Sequence, residues 1–84
     1  PLGFLVGQTV YVTRNLAYLQ PGPQWVANQD IIVTSGDSLI INGDAERGQA
    51  QWWRPVRTQD GQTGYIEENY LSTSPPASAD EAQE

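Results

Sequence analysis

Large apolar residues in this chain come in short runs with turn residues between them about every ten positions, and no stretch shows a helical period. Thr9-Val10-Tyr11-Val12-Thr13 is β-branched and aromatic throughout and predicts a strand. Leu16 to Leu19 leads into Gln20-Pro21-Gly22-Pro23, where two prolines about a glycine stop ladder pairing and open a long irregular excursion past Trp25 and Asn28. Ile31 to Thr34 resumes a strand and stops at Ser35-Gly36-Asp37. Ser38 to Ile41 is the next, closed by Asn42-Gly43-Asp44. Gln51 to Arg57 is aromatic and β-branched but carries Pro55, which predicts an edge position or a bulge. Asp60-Gly61 reads as a two-residue hairpin turn before Thr63 to Ile66. Glu67 to Leu71 has room for one 3₁₀ turn and a last strand.

The pattern predicts an all-β domain: five to six short antiparallel strands in a small, strongly bent barrel, with a 3₁₀ turn before the last strand. A five-stranded oligonucleotide-binding barrel normally carries a helix between its third and fourth strands, and Ala45 to Ala50 is too short and glycine-containing for one. Residues 1–8 form an apolar lead, either an extra strand or a surface for a larger assembly; 9–72 form the barrel; 73–84 form a polar, acidic tail expected to be disordered. At 84 residues the chain buries only about 60–65% of its unfolded surface, so the core is thin.

Composition narrows function by subtraction. The chain contains no cysteine and no histidine, which removes thiolate nucleophiles, imidazole bases and the usual zinc ligands together. No phosphate-cradling glycine loop or nucleophile–base set is present, so an enzyme is not expected, and neither a cofactor nor a metal. The formal charge is −6, with four arginines and no lysine, which disfavours nucleic acid and anionic membranes as partners. No apolar run approaches the roughly 20 residues that span a bilayer. Residues 1–7 lack the form of a secretory leader, which leaves the compartment open and favours a cytoplasmic protein or an internal piece of a longer one.

Several segments resemble the bacterial SH3 (SH3b) family over roughly 7–72: Asn15 to Pro23, the Gly36-Asp37 turn, Leu39 to Ile41, Trp52-Trp53-Arg54, Asp60-Gly61, Gly64-Tyr65-Ile66 and Tyr70-Leu71. The second half is also similar to a eukaryotic SH3 domain. The resemblance implies an SH3-like barrel used as a binding module. The proline that follows Gly-Tyr-Ile in SH3 domains is Glu67 here, and the early loop lacks an acidic cluster, so proline-rich peptides are not implied as ligands.

Adjacent tryptophans on a strand face opposite ways, so one of Trp52 and Trp53 is expected at the surface unless the proline-containing loop covers it. If the resemblance holds, Tyr18, Trp52 and Tyr70 form a shallow aromatic groove with Trp25 at its rim, although pinning the loop is the simpler role for Trp25. Arg54, Arg57 and Glu67 are candidate polar contacts; equally, the arginines pair with Glu46 or Glu68 at the surface, and Glu67-Glu68 reads as a solvated turn. Three readings follow. The first is a protein-interaction module docking a peptide or protein partner on that groove. The second, by analogy with SH3b domains, is a targeting module for peptidoglycan peptides. The third is a structural subunit.

Overall fold

The computed structural model describes residues 1–76, and the expectation for the tail beyond them lies outside the described residues. The described chain has no α-helix. It comprises β1 (Thr9–Val12), β2 (Ala17–Tyr18), β3 (Ile32–Val33), β4 (Ser38–Ile41), β5 (Glu46–Arg47), β6 (Trp52–Arg57), β7 (Thr63–Glu67), a 3₁₀ turn at Glu68–Tyr70 and β8 (Leu71–Ser72). Eight β segments replace the five or six expected; the additions are β2 and β5, each only two residues long and leaving little trace in a hydrophobic pattern.

Six strands make one antiparallel sheet in the order β5-β6-β4-β1-β8, with β7 on the other side of β6; β2 and β3 make a second, two-stranded sheet. Among the described residues neither sheet closes on itself, and the architecture is a pair of antiparallel sheets. A main-chain bridge between Gln20 and Tyr65 ties the sheets together, each N–H donating to the other residue's carbonyl at 2.8 Å.

Strand alternation fills the space between the sheets. The register sets Val10 opposite Leu39, Ile41 opposite Val56 and Val12 opposite Leu71, all buried. Ala17, Leu19 and Val33 close this core from the small sheet, and Ile66 from β7.

Pro55 sits in a central strand, not an edge. Its carbonyl accepts from Asn42 N–H on the β4 side. A strand residue points its N–H and C=O to the same side, so the donor that proline lacks would have faced Asn42 to Ala45, the gap between β4 and β5. The interruption absorbs the missing hydrogen bond. The ring packs over Gly43, where a Cβ would lie 2.7 Å from Pro55 Cγ.

The β6–β7 hairpin has a three-residue loop, Gln59 to Gly61, rather than two residues. Gly61 N–H donates to Thr58 C=O and Thr58 N–H to Gln62 C=O, with Gly61 at φ +91° in the bulge position that requires positive φ.

Residues 1–8 form no strand. The segment turns at Leu5–Gln8, with Gly7 at φ +90°, and lays Phe4 against the core.

Candidate functional site

The two-stranded sheet places a pair of residues on each of its faces. Ala17 and Val33 are opposite one another and buried; Tyr18 and Ile32 are opposite one another and 41% and 53% exposed. The loop between these strands folds back on itself because Gln20 is buried with its side chain turned toward it: Val26 N–H donates to Gln20 Oε1 at 2.8 Å. Val26 arrives beside Tyr18 and Ile32, and Asn28, at φ +65°, turns the chain toward β3. The result is an open depression of about 430 Å³ lined by Tyr18, Val26, Ala27, Asn28, Gln29 and Ile32. Three large apolar side chains converge there, with amide groups at the rim and no charged side chain in the lining.

The expected groove residues are dispersed. Tyr18 belongs to this depression. Trp52 is half-buried on the core-side face of β6, across from Arg47, whose guanidinium carbon lies 5.9 Å from the indole centroid. It lines a smaller depression of about 230 Å³ with Leu2, Arg47, Gln51, Glu68 and Asn69. Tyr70 packs against the core with Arg14 4.8 Å above its ring. Arg57 is exposed at the end of β6.

Trp25 is 44% exposed and pins the loop. Its indole N–H donates to Glu67 Oε2 at 2.5 Å, and its main-chain N–H donates to Gln49 Oε1 at 2.8 Å. The ring meets Trp53 edge-on, centroids 5.2 Å apart and planes at 67°. Trp53 lies on the outer face of β6 yet is fully buried, because this loop covers it, and its own indole N–H donates to Gln49 C=O. Close approach is possible because Gly48 has no Cβ; one there would fall 2.0 Å from Pro23 C=O.

The two glutamates are not a solvated turn. Both are about 95% buried, at 5% and 4% exposure. The Trp25 loop covers Glu67, whose Oε1 has no hydrogen-bond partner among the described residues, while Glu68 pairs with Arg54 at 2.7 Å. That ion pair is internal, not at the surface: Arg54 is 5% exposed because residues 2–4 cover it. Arg54 and Glu67 are therefore internal in this structure and do not face solvent as expected. Elsewhere Tyr65 donates its hydroxyl to Glu46 at 2.8 Å, and the phenol holds its proton above the ordinary value of 10.0, chiefly because that hydrogen bond favours the neutral form.

Reading residues one strand at a time missed Val26 and Ile32. Alternation would have found Ile32, since a strand that buries Val33 must turn its neighbour outward. Val26 carries no such signal; a side-chain hydrogen bond from six residues away places it. Among the described residues no three His, Cys, Asp or Glu side chains gather where they could hold a metal ion, and no helix is long and apolar enough to cross a membrane. The chain matches no protein-family model, and no curated protein or solved structure is significantly similar to it.

Proposed function

We propose that this chain is a non-catalytic interaction module of SH3-like fold that docks a peptide or protein partner in the depression between β2, β3 and their connecting loop. The SH3-like reading is supported by the antiparallel strands, the late hairpin and the 3₁₀ turn before the last strand. One observation carries the function: Tyr18, Val26 and Ile32 converge as exposed apolar side chains on a framework fixed beneath them by Ala17, Val33 and Gln20. Covering such surface gains about 25 cal/mol per Å², and aromatic and branched side chains on a rigid backing lose little entropy when a partner arrives. The uncharged lining suits an apolar or aromatic side chain of the partner, with the amides of Asn28 and Gln29 available to its main chain.

Peptides selected from a random display library on the immobilised domain test this. They should carry aromatic or branched apolar anchors and should lose at least about tenfold in affinity for Ile32→Asp, the cost of desolvating a charge against an apolar ligand. Because Ile32 faces outward, that variant should melt with the parent. Selected peptides that bind Ile32→Asp undiminished would remove this depression as the docking site.

A further inference from the structure

Residues 1–4 are held to the body of the protein in an unusual way. Leu2 donates its main-chain N–H to Glu68 Oε1 at 2.8 Å and accepts at its C=O from Arg54 Nη2 at 2.7 Å. The guanidinium and carboxylate lie side by side, joined Nε to Oε2 at 2.7 Å. They present to one residue the donor and acceptor that a neighbouring β-strand would present. Arg54 is steadied from behind by Gly43 C=O at 3.3 Å. Phe4 lies with its ring centroid 5.6 Å from the guanidinium carbon and packs against the core, while Leu2 borders the depression containing Trp52.

We propose that this Arg54–Glu68 clamp, with the Phe4 socket and the Trp52 depression beside it, is a binding site for an extended apolar peptide of the pattern Leu-x-aromatic, and that residues 1–4 are its resident occupant. The site is distinct from the Tyr18 depression. What the clamp reads is main chain, through two charge-assisted hydrogen bonds that any non-proline residue satisfies; the side chains two apart supply the selectivity. The resident segment can leave without breaking any strand pairing, because the first ladder residue is Thr9 and the main-chain ties to Ile41 begin only at Gly7. Gly7, at φ +90° between the two parts, is placed to act as the hinge. A competing segment meets a preformed, charge-balanced site whose apparent affinity is lowered only by the fraction of time the resident occupies it.

The test uses the full isotope-labelled chain and the unlabelled peptide acetyl-Pro-Leu-Gly-Phe-Leu-Val. In the arm variant Leu2→Ala/Phe4→Ala, which changes no strand residue, the peptide should bind at least about tenfold more tightly than to the unaltered chain. Amide shifts should centre on Trp52, Arg54 and Glu68. The same peptide N-methylated at its leucine, unable to donate to Glu68, should lose about tenfold or more. This control leaves the protein untouched, so it reads the clamp without risking the fold. Equal affinity for the two chains, no binding to the arm variant at millimolar peptide, indifference to N-methylation, or shifts confined to Tyr18 and Ile32 would each overturn the proposal.

Discussion

Replacing Glu68 alone should destabilise this protein strongly. Glu68→Leu leaves the Arg54 guanidinium about 95% buried with its carboxylate gone and leaves Leu2 N–H without its acceptor. Removing one member of a buried ion pair typically costs about 3–5 kcal/mol, most of it the desolvation of the charge left behind. The total stability of a domain of this size is about 4–12 kcal/mol at 0.05–0.15 kcal/mol per residue, so the variant loses a large share of it. At about 4–8 °C per kcal/mol the melting temperature should fall by about 12 °C or more. The double variant Arg54→Met/Glu68→Leu keeps comparable volume and buries no charge. It should recover to within about 1–2 kcal/mol of the parent, its remaining deficit being the two lost contacts to Leu2. Urea melts of the parent, both single variants and the double variant give the coupling energy directly. Because the pair is buried, repeating the melts in high salt should leave that coupling largely unchanged. A single variant that loses less than about 1 kcal/mol, or a double variant as unstable as the single, would refute the idea that the stranded internal charge is what destabilises the chain.

Two further predictions address the loop and the hairpin face. Trp25→Phe keeps most of the ring but removes the donor to Glu67, whose other oxygen has no partner among the described residues; a loss of about 1–3 kcal/mol is expected by urea melt, together with increased fluorescence quenching of Trp53 as its cover loosens. Because the Tyr65 phenol has a raised folded-state pKa, its contribution to stability is complete below pH 10.0 and is lost as pH rises through the folded value. Ring resonances of Tyr65 followed through an alkaline titration should move back toward the ordinary pKa in Glu46→Gln.

The strands with strong alternation were legible from composition and spacing alone. Val10 and Val12 alternate with Thr9 and Tyr11, and that period suffices to place β1 and its buried face. The 3₁₀ turn was legible because only five residues separate Ile66 from the final Ser72 strand position. What stayed hidden depends on contacts between distant residues. Two-residue strands such as β2 and β5 are stabilised by their partners, and nothing in Ala17-Tyr18 or Glu46-Arg47 declares them. The environment of Glu67 and Glu68 could not be read locally either, since charged neighbours normally face water. Their covers come from Trp25 and Leu2, 42 and 66 residues away. The aromatic groove dissolved for the same reason. Trp53, not Trp52, received the loop, and Tyr70 turned to the core, which left Tyr18 with two aliphatic companions that no motif announced.

Where β1 sits governs how the molecule acquires its structure. β1 lies between β4 and β8, so one of its edges is filled only when Leu71 and Ser72 pair with Val12 and Tyr11. The β6–β7 hairpin closes over a three-residue loop and can form in about 1–10 μs. The β1–β8 pairing must instead close a loop of nearly the whole domain, and topologies governed by such distant pairs fold in about milliseconds to seconds. During synthesis β1 emerges first and waits with an open edge until the last strand clears the ribosome. A nascent chain that stalls before Leu71 carries that edge unprotected, and its hazard is self-association through Thr9 to Val12.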